Sequence, residues 1–346
     1  MRDKNKVIVG ISCGDINGIG LEVLINSFAT EKLFDRCVPV LYVPVKTMNA
    51  YLRVLKIKDF EFHVIKKPKD ALMNKMNIID FPAKDIPLSL GKSTKFAAQI
   101  AVDSLSLAVS DLKKNLTDVI LTLPVNKHNI SLVKKDFVGH TEFLSKQFDN
   151  QENLMILCGH DLKIATVTNH VAISNISGLI SKSIIDDKIS VLYQTLKMDF
   201  LISKPKIAVL SLNPHSGDNG LIGYEDDRII KPVIMSWFNN GHEVHGPYSA
   251  DAFFGSKSYK NFDAVLGMYH DQSLIPFKTI CFGEGVNYTA GLSAIRVSPD
   301  HGVAYDIAGK RLADNKSLVY SLLFSLELFN NRLSHLDNLL KTKVKQ

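Results

Sequence analysis

The chain is poor in the features that mark secreted, membrane and nucleic-acid-binding proteins. It has one tryptophan and four cysteines (Cys13, Cys37, Cys158 and Cys281), irregularly spaced and with no C-x-x-C pair. That argues against a disulfide scaffold or a cysteine-rich zinc module and suits reduced thiols in the cytoplasm. No window reaches the roughly 18 apolar residues that a membrane span requires. The segment SLVYSLLFSLELF near the C-terminus is too short and carries Glu327, so a buried helix is expected there. The start, MRDKNKVIVGIS, passes from charge directly into strand-like residues, without the apolar stretch and cleavage site of a signal peptide. Lys and Arg exceed Asp and Glu only mildly, for a net charge of +6, and form no dense block. No nucleic-acid surface is expected, although the balance suits an anionic substrate weakly. G-x-G-x-x-G, Walker A and G-x-S-x-G are all missing, which removes the Rossmann fingerprint, the P-loop and the serine-hydrolase elbow.

Apolar residues are plentiful, at 46% of 346, enough for a real core and for two domains. Short apolar runs alternate with longer helical patterns. Strands are expected at VIVGIS (7–12), VPVLYV (38–43), DVILTL (118–123), KIATVT (163–168), KIAVLSL (206–212) and DAVLGM (263–268). The runs are continuous rather than alternating, as in parallel strands buried on both faces. Helices are expected over 93–114 with Ser93 as cap, over 174–196, over 225–238, and from about Asn315 towards the C-terminus. Strand–helix alternation predicts an α/β fold with helices on both sheet faces. No linker or internal repeat marks a boundary.

Three of the strand candidates run into a histidine: KIATVTNH at His170, KIAVLSLNPH at His215 and DAVLGMYH at His270. The gaps of 45 and 55 residues make no local motif. In a parallel sheet, however, all carboxyl ends lie along one edge, where open α/β sheets bind ligands. Three imidazoles delivered there can converge on one ion, with a position left for substrate, as in a catalytic metal site. Imidazole suits zinc, cobalt, nickel or iron, and the pattern does not choose among them. A lone histidine at a strand end is more often a polar loop residue; three equivalent ones, two of them among further polar residues, bring the ligand reading level with that alternative, and the pattern alone goes no further.

Other segments follow the same logic. Gly14-Asp15-Ile16-Asn17-Gly18-Ile19-Gly20 joins the first strand to a helix, and its backbone N–H groups suit an anion, or simply a tight turn. Pro124-Val125-Asn126-Lys127 puts an amine and an amide at a strand end, or is a solvated loop. Gly139-His140-Thr141-Glu142 reads as a helix start with Thr141 as a possible cap. Lys278, Asn287 and Arg296 lie among apolar residues and glycines, where cations meet phosphate or carboxylate, or a protein carboxylate.

Together these segments resemble the 4-hydroxythreonine-4-phosphate dehydrogenase family of vitamin B6 synthesis. The matching stretches are GDINGIGLE (14–22), LPVNK (123–127), GHTEFL (139–144), VTNH (167–170), LNPHSGD (212–218), ADAFF (250–254), DAVLGMYHDQ (263–272), GVNYTAGL (285–292) and IRVSPDHGVAYDIAGK (295–310). They are collinear from the first strand to the last helix. The chain departs from the usual pattern at Ile16, Leu21, Leu123 and Arg311, which touches substrate identity more than reaction class.

The resemblance implies two α/β/α domains with an isocitrate/isopropylmalate dehydrogenase-like fold. The first would span 1–135 with about 295–346 and the second about 136–294, with the active site in the cleft. It implies metal ligands His170, His215 and His270, and substrate contacts at His140, Thr141, Lys278, Asn287 and Arg296. It further implies NAD or NADP, one divalent metal per site (zinc, magnesium, cobalt or manganese), and a cytoplasmic homodimer with a shared active site. The implied reaction oxidises 4-(phosphooxy)-L-threonine to 2-amino-3-oxo-4-(phosphooxy)butanoate, which decarboxylates to 3-amino-2-oxopropyl phosphate. Asp251 and Asp271 are the candidates for accepting the proton or orienting an imidazole. The alternatives are a dehydrogenase of threonate or erythronate phosphate, a metal-dependent hydrolase or aldolase, and a non-catalytic binding module.

Overall fold

All six expected strands form where the apolar runs lie, one with the expected bounds and five with one or both ends moved by one or two residues. The computed structural model describes residues 6–83, 88–134, 137, 139–148, 152–281 and 283–344. The chain divides into two compact units, Met1–Asn150 with Ser293–Phe329 and Gln151–Leu292 with Asn330–Gln346.

The first unit carries β1 (Val7–Ser12), β2 (Cys37–Tyr42), β3 (Phe62–Ile65), β4 (Met76–Ile79), β5 (Val119–Thr122) and, numbered along the chain, β12 (Ile295–Pro299). Their order is β3-β4-β2-β1-β5-β12, and every pairing is parallel. β1, β2, β4, β5 and β12 are buried at every residue; β1, β2 and β5 are correspondingly rich in apolar residues, whereas Asn77 interrupts β4 and Arg296 and Ser298 interrupt β12, so no apolar run announced those two. β3 is mostly exposed, so no such run announced it. The helices are α1 (Gly20–Thr30), α2 (Val45–Val54), α3 (Lys95–Lys113), α4 (Lys127–Ser131) and α5 (His140–Gln147). The cap of α3 is Thr94, not Ser93: its hydroxyl accepts from the Ala97 N–H and from Asn17 Nδ2. Thr141 is likewise not a cap. Gly139 holds that position, and Thr141 lies inside α5.

The second unit contains β6 (Leu154–Cys158), β7 (Lys163–Thr166), β8 (Lys206–Leu210), β9 (Glu243–Tyr248), β10 (Ala264–Gly267) and β11 (Val286–Ala290), in the order β11-β6-β7-β10-β8-β9. β7, β10, β8 and β9 run parallel, while β6 is antiparallel to both neighbours. The carboxyl ends of the parallel four therefore share an edge. The helices are α6 (Ile173–Leu179), α7 (Lys182–Met198), α8 (Lys231–Asn239), α9 (Ala250–Gly255), α10 (His270–Ile280) and α11 (Lys316–Val344), the last beginning in the first unit. Residues 174–196 are two helices rather than one. The backbone extends at Ile180 and Ser181, and Ser181 caps α7 through the Ile184 N–H. The helix expected over 225–238 opens with a π-helical turn, Asp226–Ile230. Pro232 follows it and has no N–H for an i→i−4 bond, which favours the wider register.

A buried ionic cluster fastens the end of α11 within the second unit. Asp199 accepts from Arg332 Nε at 2.6 Å and from Asn331 Nδ2 at 2.8 Å, and Tyr288 donates its hydroxyl to the Asp199 carboxylate. All four cysteines are free and buried, and burial pushes the Cys13 and Cys37 thiols up to about 12. No helix among the described residues is long and apolar enough to cross a membrane.

Candidate active site

The three strand-end histidines lie at the carboxyl edge of the second unit. Beyond β7 and β10 the ladder continues: the Val167 N–H donates to Gly267 O, and both the N–H and hydroxyl of Thr168 donate to Met268 O. These bonds fix the approach to His170 and to His270, the first residue of α10. The two imidazole rings stand 5.7 Å apart, centre to centre. Two rings bound to one ion through nitrogens at about 2.1 Å have their centres within about 6 Å, so this pair fits a shared ion.

His215 lies on a different kind of support. His215, Ser216, Gly217, Asp218 and Asn219 are all left-handed, with φ between 44° and 80°. Each non-glycine residue there costs about 1–2 kcal/mol, a strain that gathers at functional sites. His215 stands close enough to Asp251 to favour its ionised form. Among the described residues, no three His, Cys, Asp or Glu side chains form a metal-ligating cluster. The donor chemistry of the three imidazoles fits a divalent ion, with His170 and His270 the pair that stands close together.

Asp251 accepts from Ser249 Oγ at 2.7 Å. That bond, then the Ala252 N–H, hold its carboxyl below the usual range. A proton acceptor works best with a pKa near the working pH, so Asp251 is better suited to orienting His215. Asp271 Oδ1 lies 3.5 Å from His270 Nδ1 and is placed for the same duty there. Both carboxylates border a cavity of about 440 Å³ that Tyr269, Gln272 and Ile275 also line.

Lys278 and Asn287 lie away from this edge. Lys278 sits eight residues along α10 from His270, about 12 Å down the axis. Asn287 pairs with Leu157, which pairs with Ile164 near the amino start of β7. From there to Thr168 is about 13 Å along the strand direction. Asn287 Oδ1 is buried and has no hydrogen-bond partner among the described residues.

The first unit holds the other candidates. Arg296 on β12 is 3% exposed and donates Nε and Nη2 to Thr122 Oγ1, at 3.0 and 2.6 Å. His140 opens α5, and its buried Nε2 has no hydrogen-bond partner among the described residues. Burial holds its pKa well below the ordinary value, and the Arg296 and Lys127 cations add to the effect. The result is a neutral imidazole with the buried Arg296 and the exposed Lys127 nearby, a receptor for an anion. The sequence left Lys127 undecided between site and loop; as the first residue of α4 it joins this cluster. The Thr141 side chain is outside the described atoms.

Two sequence motifs also meet in this unit. Ile19 N–H donates to Val303 O, Tyr305 donates to buried Asp15, and Gly309 N–H donates to Glu22. A Cβ on Gly18 would lie 2.6 Å from Val303 O, which explains the glycine. Leu123, one of the departures from the family pattern, is fully buried beside Gly20 and reshapes packing rather than an open pocket.

A sheet edge bearing three imidazoles in the second unit, and a buried arginine with a neutral histidine in the first, are the equipment of an enzyme. Residues 35–324 match the family described as pyridoxal phosphate biosynthetic protein PdxA, and the chain belongs to that family. It is 39% identical over 331 residues to a 4-hydroxythreonine-4-phosphate dehydrogenase of Bacteroides thetaiotaomicron, covering 95% of this chain and 91% of that protein. It is 34% identical over 328 residues to a D-threonate 4-phosphate dehydrogenase of Cupriavidus necator, covering 94% and 98%. The crystal structure of 4-hydroxythreonine-4-phosphate dehydrogenase from Klebsiella pneumoniae superposes with a TM-score of 0.82 at 31% identity, covering 94% of this chain and 99% of that one.

Proposed function

We propose that the chain oxidises the secondary alcohol of 4-(phosphooxy)-L-threonine with NAD or NADP, as a cytoplasmic homodimer. The observation that carries this reading is the buried, neutral His140 near Arg296 and Lys127, in a chain whose strand ends also supply three imidazoles. Arg296 and Lys127 bind the substrate phosphate, and His140 donates to it without adding a charge of its own; Thr141 is assigned beside them. His170, His215 and His270 hold one divalent metal, and Asp251 and Asp271 orient their rings. Histidine donors favour zinc or cobalt over magnesium or manganese. When bound, the metal supplies the positive charge that acidifies the substrate hydroxyl, and the nicotinamide accepts the hydride. The β-keto acid then loses CO₂ to give 3-amino-2-oxopropyl phosphate.

The homodimer accounts for Lys278 and Asn287. They lie toward the opposite strand ends from the histidines, too far to share one four-carbon substrate within a unit. A second copy brings the two sets together. The alternative substrate, a sugar-acid phosphate, is favoured by the similarity to the C. necator protein. Purified enzyme with NAD and each phosphorylated acid in turn, followed at the NADH absorbance band, decides between them. Turnover of 4-(phosphooxy)-L-threonine at least tenfold above D-threonate 4-phosphate is expected. Turnover of neither, with hydrolysis or aldol cleavage instead, would sink the dehydrogenase reading.

A further inference from the structure

We propose that Asp226 is a positioning residue for His215, its buried carboxylate holding the left-handed turn that presents this imidazole. The proposal rests on reading His215 as a metal ligand. Five consecutive left-handed residues do not persist unaided in a chain of L-amino acids, so something must over-determine them. Asp226 opens the π-helical turn, is fully buried, and accepts from the Leu212 N–H at 2.7 Å and the Asn213 N–H at 3.0 Å. Those two donors immediately precede Pro214 and His215. Pro214 has its φ fixed by its ring, so the orientation set at Leu212 and Asn213 carries through to the His215 Cα.

The turn also closes over the carboxylate. A Cβ built on Gly217 would lie 3.6 Å from Asp226 Oδ2 and 2.7 Å from Gly223 O. The Ile222 N–H donates to Gly217 O and the Leu221 N–H to Asp218 O. Other contacts in the neighbourhood hold side chains: Glu225 accepts from Asn213 Nδ2 and Ser177 Oγ, and Ser216 Oγ donates to Pro247 O. Ser211 Oγ also holds the segment, donating to Asn213 O at 2.9 Å, but Asp226 grips two consecutive backbone N–H groups with a carboxylate that has no access to water. Loss of either acceptor oxygen frees the segment to relax toward right-handed or extended backbone, which swings the His215 Cα–Cβ bond away from its present direction.

The test is a double-mutant cycle on metal affinity, read by zinc competition with a chromophoric chelator and by the visible spectrum of the cobalt-loaded protein. Wild type, Asp226→Asn, His215→Ala and the double variant are compared, with Glu225→Gln as a neighbour control. Asp226→Asn is expected to weaken zinc binding by about 10-fold or more, as loss of an outer partner of a ligand does. In the His215→Ala background the same change should alter affinity by less than about twofold, because its effect runs through the missing ring. Glu225→Gln should stay within about threefold of wild type. Equal losses in both backgrounds, or wild-type affinity in Asp226→Asn, would overturn the proposal. Wild-type affinity in His215→Ala would overturn the ligand reading itself and the proposal with it. If Asp226→Asn does not fold, Asp226→Glu, which keeps the charge but overreaches the two N–H groups, is read in its place with the same expectations.

Discussion

Replacing Arg296 by Gln should separate the proposed phosphate binding from folding, because the guanidinium that would meet the phosphate also holds the Thr122 hydroxyl. It is almost wholly buried and donates twice to Thr122 Oγ1, and its charge helps keep His140 neutral. A charged hydrogen bond to a phosphate contributes about 1.5–3 kcal/mol, so kcat/KM should fall about 10- to 150-fold, chiefly through KM. The cost to stability should be smaller, about 1–2 kcal/mol, since Gln fills most of the space and the Thr122 hydroxyl can turn. A second, independent signal comes from His140. With one cation removed, its imidazole should protonate at higher pH, which a proton or nitrogen NMR titration of the assigned ring reads directly. Steady-state kinetics with 4-(phosphooxy)-L-threonine and NAD supply the first number, and urea unfolding the second. Unchanged KM together with an unmoved His140 titration would refute the anion-binding role of this cluster. A loss of activity matched by loss of fold would show that Arg296 is structural.

The remaining predictions concern charge, pH, metal and backbone. Arg332→Met leaves the Asp199 carboxylate buried without its partner, and should destabilise by about 3–5 kcal/mol in urea unfolding; a loss below 1 kcal/mol would contradict the buried cluster. Folded His140 is held below its ordinary value of 6.5, so as pH falls the unfolded chain takes up that proton first. Its contribution is full above that value and should fall by up to about 1.4 kcal/mol per pH unit below it, until the folded ring also protonates. His140→Asn should flatten that part of the stability profile, and identical profiles would count against the neutral imidazole. Dialysis against a chelator should abolish NADH formation and lower the melting temperature. Zinc at 100 times its Kd should restore about 2.7 kcal/mol, and full activity in metal-free protein would reject the metal assignment. Gly14→Ala places a Cβ 2.4 Å from Pro124 O at φ +61°, and should cost more than 1 kcal/mol; a neutral change would show that this turn relaxes freely.

β1, β2, β5, β7, β8 and β10 were legible as runs rich in Val, Ile and Leu, because a parallel sheet covered by helices favours them; β4, β6 and β12 are buried throughout but were not, with Asn77 and Arg296 interrupting two of them. β3 was not legible, since two of its four residues face solvent, and neither was β9, which is only half-buried and contains Gly246-Pro247. The helix caps were misjudged at Ser93 and Thr141. Several residues near each helix start can cap it, and hydrogen bonds to distant partners, such as Asn17 to Thr94, choose among them.

The sequence by itself determined the α/β class and placed His170, His215 and His270 at strand ends, because hydrophobic periodicity and strand direction are local properties of the chain. Only the tertiary structure decided which of those residues meet. It put the His170 and His270 rings 5.7 Å apart, put His215 on a left-handed turn over Asp226, and drew Lys127 to His140 and Arg296. It also carried Lys278 and Asn287 toward the other strand ends. Strand order, register and backbone handedness set those distances, and they come from pairings between segments far apart in the chain, which no local pattern records.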